Sequence, residues 1–190
     1  MALKEYYKRS DPIRELAAGM LHACDESMYQ EYGTAFDAGV WEQQDKGPWL
    51  ARAIVYKSQV ELHRDNNDLG LSLSFACGHF TGGAMLFPEL GLKLAYNPGD
   101  VILSYAGRLS HKVTTWKPTA YYPAGITPGR IGTVFFFPKH SLQKLCGKPP
   151  GWGLDTGYGR YDCSSQYKPG QSGVVVEEHW EDSDSDLIER

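Results

Sequence analysis

Two histidines, an aspartate and an arginine carry the chemistry legible in this chain. His63-Arg64-Asp65 closes an apolar run, His111 follows the turn-rich stretch from Pro98 to Arg108, and Arg130 opens a strongly β run. Two imidazoles and a carboxylate can occupy one face of an iron ion and leave the other face for an oxidant and its co-substrate. A guanidinium offers a planar fork that would hold a dicarboxylic co-substrate at its far end. If the four converge in the fold, the chain reads as an oxygenase and most other functional classes fall away.

Each residue also has an ordinary reading in isolation. H-x-D is a common chance pattern, and residues two apart on a strand share a face whether or not a metal is near. A histidine at position 111 is equally a satisfied core residue. Through Arg130-Ile131-Gly132-Thr133-Val134-Phe135-Phe136-Phe137, alternation puts Arg130, Gly132, Val134 and Phe136 on one face. An arginine among such neighbours needs a partner, because an unpaired buried charge is costly. A bound carboxylate would serve, and so would a structural Asp or Glu.

These residues must be positioned by one domain, since 190 residues suffice for a single core but not comfortably for two. No apolar run approaches the length of a membrane span. Met1–Ser10 carries Lys4, Lys8 and Arg9 with no apolar stretch behind them, so no secretory signal is expected. Cys24, Cys77, Cys146 and Cys163 are widely spaced and read as free thiols of a reducing, intracellular compartment. That compartment is nuclear if the substrate is DNA and cytoplasmic otherwise. The net charge is −4, but seven acids fall within residues 177–190 against Arg190 alone. Without that segment 18 basic and 16 acidic residues remain, a core at +2 that neither seeks DNA nor forbids it.

Asp11-Pro12 offers a capped helix start, and Ile13, Leu16, Ala17, Met20, Leu21 and Cys24 then recur at helical spacing. Gly33, Gly39, Gly47 and Pro48 suggest a looser stretch, completing a helical N-terminal part over 1–48. Strands are expected at 52–62, 70–77, 84–87, 92–96, 100–105, 111–116 and 130–137, separated by Gly, Pro and Asn. Such a run of short strands without helices between them suggests a sandwich or jelly roll. The expected layout is a single domain over 1–176 with its β core at 50–140. An irregular covering segment at 150–173 and an acidic, mobile tail at 177–190 complete it.

Over roughly residues 50–140 the chain resembles the Fe(II)/2-oxoglutarate-dependent dioxygenases. The resemblance rests on His63-Arg64-Asp65, Phe80-Thr81-Gly82-Gly83-Ala84-Met85-Leu86-Phe87-Pro88, Pro98-Gly99-Asp100-Val101, His111-Lys112-Val113 and Gly129-Arg130-Ile131. It implies a mainly β double-stranded β-helix with an N-terminal helix. Iron would be bound by His63, Asp65 and His111, and the distal carboxylate of 2-oxoglutarate by Arg130. Within that superfamily the chain looks most like the TET/JBP nucleic-acid oxygenases, especially compact fungal members.

Asp68 falls where those enzymes place an Asn or Asp that reads the cytosine amine, and Phe136 where they stack a ring on the flipped base. Pro138 stands where the family often has a base-contacting histidine, and His140 lies two residues beyond. Asp68 as a turn residue, Phe136 as core and His140 as surface are the plain alternatives. The resemblance implies oxidation of 5-methylcytosine in DNA to hydroxymethylcytosine and beyond, using O2, with ascorbate as a reductant. Thymine or an RNA base would suit the same machinery. The rivals are a hydroxylase of a protein side chain or small molecule, and a non-catalytic binding domain that keeps the fold. Oligomeric state is not legible. Lys112, Lys139 and their basic neighbours could meet phosphates or simply be solvated.

Overall fold

The computed structural model describes residues 2–155 except 41, 43 and 127. The expected covering segment is therefore described only as far as residue 155, and Cys163 and the acidic tail lie outside the described residues. The first helix, α1, spans Ala2–Cys24 and carries Pro12 in its interior instead of starting there. Its early turns are held by a contact distant in sequence: the Arg52 guanidinium carbon lies 4.6 Å from the Tyr7 ring centroid and 5.8 Å from that of Tyr6. The buried face is also rotated from expectation. Arg14, Ala17 and Leu21 are buried, whereas Leu16 is 57% exposed and Cys24 is exposed. Arg14 tolerates burial because its Nε donates to Asp11 Oδ1 at 3.0 Å and its Nη1 to the Gly47 carbonyl at 3.4 Å.

Contrary to the loose stretch expected from its glycines, Glu26–Gly39 forms a second helix, α2. Asp25 caps it, accepting from the Met28 amide at 2.9 Å. Tyr32, Ala35, Phe36 and Ala38 then supply a buried face strong enough to override the glycines.

Among the described residues eight strands follow: β1 (Ala51–Tyr56), β2 (Ser72–Gly82), β3 (Met85–Phe87), β4 (Leu92–Leu94), β5 (Val101–Ser104), β6 (Lys112–Val113), β7 (Trp116–Pro118) and β8 (Gly129–Phe136). They form two antiparallel sheets. The larger runs β1-β8-β2-β5, with β7 also on β2, and the smaller runs β4-β3-β6. A short helix, α3 (Lys139–Leu145), follows the last strand.

Two expected strands are corrected. The 52–62 strand stops at Tyr56, because Lys57 enters the left-handed region at φ 55° and turns the chain away. The 111–116 strand is two strands in different sheets. The chain changes sheet at Thr114–Thr115, held by Thr114 N to Ala84 O at 2.8 Å and Gly83 N to Thr115 O at 3.1 Å. Gly82 and Gly83, at φ 79° and 77°, make the facing turn that only glycine accommodates readily.

Alternation on the central strands divides two cores. Leu73 and Phe135 face the helices with Leu21, Tyr32, Phe36 and Trp49, whereas Ala76 and Phe80 join Met85, Phe87, Tyr96 and Val113 across the two sheets. Among the described residues, no helix is long and apolar enough to cross a membrane.

Candidate metal centre and co-substrate cavity

His63 does not end a strand as expected; it pairs directly with His111. Its amide donates to the His111 carbonyl at 3.1 Å, and the His111 amide returns to the His63 carbonyl at 2.9 Å. The two rings therefore stand side by side, their centroids 4.4 Å apart. Asp65 is set by its own amide, which donates to Ala106 O at 3.1 Å, and by Asp68 N, which donates to Asp65 O at 2.7 Å. This loop rests on Gly107, where a Cβ would come within 2.4 Å of the Asp68 carbonyl oxygen.

Three side chains converge. His63 Nε2 lies 3.4 Å from Asp65 Oδ1, and His111 Nε2 lies 3.5 Å from Asp65 Oδ2. The ligand atoms of all three fall within 4.8 Å of one another. Each imidazole has its other nitrogen committed: His63 Nδ1 is 2.7 Å from the Glu61 carbonyl, and His111 Nδ1 is 3.1 Å from the Leu109 carbonyl. A carbonyl only accepts, so each neutral ring carries its proton on Nδ1 and aims the Nε2 lone pair at Asp65. Lone pairs gathered at such distances repel unless a cation lies between them. Two nitrogens and one carboxylate on one side of that point are the donor set suited to ferrous iron with open positions. His111 is the deepest of the three at 13% side-chain exposure, while His63 and Asp65 stay open at 37% and 31%.

The same cavity, about 210 Å³, is also lined by Arg130. The arginine is 4% exposed, and its Nε has no hydrogen-bond partner. Among the described residues no carboxylate forms an ion pair with it. Its guanidinium carbon sits 5.1 Å from the Tyr96 ring centroid and 5.8 Å from that of Phe80. Burial pushes the Arg130 pKa down, opposed by the neighbouring Tyr96 and Cys77. A buried cation without a counter-charge, in a cavity shared with a potential metal site, could hold an anion.

Gly132 keeps that space open. A Cβ there would lie 3.1 Å from Arg130 Nη1 and 3.6 Å from the Val55 Cβ. Gly132→Val should crowd the guanidinium, and overpacking of about 1–3 kcal/mol would weaken binding of a dicarboxylate roughly five- to 150-fold. Calorimetric titration with 2-oxoglutarate checks this; unchanged affinity would show that the guanidinium lies off the binding path.

Asp68 and Phe136 line the cavity as well. Asp68 is pushed up to about 6 by burial and by the nearby Asp65 charge, against a lowering hydrogen bond in which Ser72 Oγ donates to its Oδ2 at 3.1 Å. His140 is exposed in the first turn of α3 and is not among the cavity-lining residues. Sequence reasoning overlooked Ser74 and Tyr96, which line the wall and are linked by Tyr96 OH donating to Ser74 Oγ at 3.0 Å. The alternation of Ser72, Ser74 and Ala76 with Leu73 and Phe75 was the available signal.

No family model matches the chain, and no curated protein matches it. A solved structure does: NgTET1 in complex with 5mC DNA, at a TM-score of 0.53 and 19% identity. The fold is TET-like. The match covers 73% of this chain and 50% of that one, so the chain spans about half the length of NgTET1. At that identity the likeness speaks for the TET-like fold alone.

Proposed function

We propose that the chain is an Fe(II)- and 2-oxoglutarate-dependent dioxygenase of the TET/JBP type, built on a double-stranded β-helix, that oxidises a methylated nucleobase. The favoured substrate is 5-methylcytosine in DNA. The observation that carries the proposal is one cavity lined both by the His63-Asp65-His111 cluster and by a buried Arg130 without a counter-charge. His63, Asp65 and His111 would hold the iron, which when bound supplies the oxidising chemistry with O2 and 2-oxoglutarate.

The protein's own groups do the rest. Arg130 neutralises the distal carboxylate of the co-substrate, and the buried Phe80 and Tyr96 rings beside it keep water from competing. A methyl group inside a duplex is out of reach, so the base must be extruded toward the cavity. Phe136 then offers a ring for stacking, and Asp68 an oxygen to accept from the exocyclic amine. Ser72 fixes the Asp68 carboxylate by donating to its Oδ2, leaving Oδ1 for the base.

The test is mass spectrometry of nucleosides after incubating the protein with methylated duplex DNA, iron(II), 2-oxoglutarate and ascorbate, with His63→Ala alongside. Hydroxymethyl-, formyl- or carboxylcytosine that disappears in the variant supports the reading. Succinate without an oxidised base would redirect the oxygenase to a protein or small-molecule substrate. No turnover of either kind would overturn catalysis.

A further inference from the structure

Glu89 lies outside the cavity and belongs to no motif that singles it out, yet it meets both ligand-bearing segments. Its Oε1 accepts from Arg64 Nη2 at 2.7 Å and from the Ser110 amide at 3.1 Å. Arg64 closes the triangle, its Nε donating to Ser110 Oγ at 3.0 Å. Arg64 stands between His63 and Asp65, and Ser110 immediately precedes His111.

The contact at Ser110 has a specific chemical consequence. The Ser110 N–H and the Leu109 carbonyl belong to one planar peptide unit. Glu89 takes the hydrogen of that unit, while His111 Nδ1 meets its oxygen at 3.1 Å. A carboxylate on the N–H side polarises the peptide, making its carbonyl the stronger acceptor for the imidazole proton. That strengthens the lone pair on Nε2, the atom facing Asp65, and fixes the plane of the ring.

The mount is rigid enough to do this. Glu89 sits in the 3-10 turn Pro88–Leu90, which begins with proline and ends at Gly91 in the left-handed region, φ 62°. The preceding Phe87 is buried, and its ring centroid is 6.2 Å from that of His111. An exposed ion pair contributes little to stability by itself. Glu89 instead spends one oxygen on two donors from separate segments, which is a matter of geometry.

We infer that Glu89 is a positioning residue for the metal centre, orienting and polarising His111 through the 109–110 peptide and holding the His63–Asp65 loop through Arg64. This inference rests on the proposed metal site. The hydrogen bonds to Glu89 hold its carboxyl well below the usual range, in keeping with a charged acceptor.

The full chain tests it with Mn(II) alone as the probe, free ion being followed by electron paramagnetic resonance. Wild type is compared with His63→Ala, Glu89→Ala, Glu89→Gln and Arg64→Lys, and thermal midpoints are taken without metal. Glu89→Ala should weaken Mn(II) binding roughly ten- to hundredfold, the range for partners that orient a ligand, with the metal-free midpoint unchanged. Glu89→Gln should recover part of the loss, because an amide oxygen still accepts from both donors. Arg64→Lys should lose affinity too, since one ammonium cannot reproduce the planar fork.

A shifted visible spectrum of Co(II)-loaded Glu89→Gln would mark altered ligand geometry, which a purely structural role would not produce. If Glu89→Ala does not fold, Glu89→Gln and Arg64→Lys decide, and wild-type affinity with an unshifted spectrum in both overturns the inference. Loss of binding in His63→Ala alone would leave the metal site standing and remove Glu89 from it. Absence of saturable Mn(II) binding in the wild type would overturn the metal site and this inference together.

Discussion

Arg130→Met should weaken binding of 2-oxoglutarate at least about thirtyfold while leaving Mn(II) binding intact and the ligand-free protein no less stable. The three expectations have one cause. In the free protein the guanidinium is buried at 4% exposure, lacks a partner at Nε and faces two aromatic rings, so on the proposed function its charge is a cost offset by a ligand. Replacing such a charge by an apolar side chain of similar length is often neutral or stabilising. With 2-oxoglutarate bound as proposed, the same charge would become the partner of a buried carboxylate, and removing one member of such a pair costs roughly 2–5 kcal/mol. That corresponds to about a thirtyfold to several-thousandfold loss of affinity. Calorimetric titration with 2-oxoglutarate in the presence of Mn(II), with thermal melts of the free protein, reads all of it. A large fall in the melting midpoint with co-substrate affinity retained would make Arg130 a structural residue.

Asp65→Asn should remove tight metal binding although it changes the shape of the site hardly at all. Asp65 brings the only negative charge among the three converging side chains, and its two oxygens face Nε2 of His63 and of His111 separately. The asparagine keeps an oxygen donor but loses the charge. Even one unit-charge attraction near 4 Å is about 4 kcal/mol at an effective dielectric constant of about 20, or about a thousandfold in the dissociation constant. The asparagine amide would also turn its N–H groups toward one imidazole lone pair and satisfy it without an ion. The expected result is a protein that folds, binds Mn(II) weakly or not at all, and releases no succinate. Wild-type Mn(II) affinity in this variant would place the ion elsewhere.

The residues that read best from sequence were those whose neighbours enforce a period. In β8 the alternation put Arg130, Gly132, Val134 and Phe136 on one face, and all four line the cavity. Most of the remaining strand positions were legible from turn residues. The second helix was hidden because Gly33 and Gly39 suggested a loose stretch in a local reading, whereas Tyr32 and Phe36 are stabilised by residues far along the chain. The route to His63 was misread for a similar reason. Val55-Tyr56-Lys57 looks like continuing strand, and nothing local announces a left-handed lysine. Glu89 illustrates the harder limit: its partners are 25 and 21 residues away, and an exposed glutamate after a proline has no distinctive pattern. Contacts between segments, unlike faces of one segment, leave little trace in spacing.

The reciprocal backbone bonds between His63 and His111 bear on the lifetime of the protein as well as its chemistry. After β1, and after Lys57 N donates to the Arg130 carbonyl at 3.0 Å, the chain runs as an arm with no strand pairing until that single bridge, helped by Gln59 donating to the Val113 carbonyl. An ion drawing the two imidazoles toward Asp65 would act as a clasp on the arm. Binding energy at the centre would then also be energy that keeps the arm shut. If the proposed metal centre is real, the chain without its ion should be cut more readily between Ser58 and Leu62 than the chain with Mn(II) bound, which limited proteolysis with and without the metal would read.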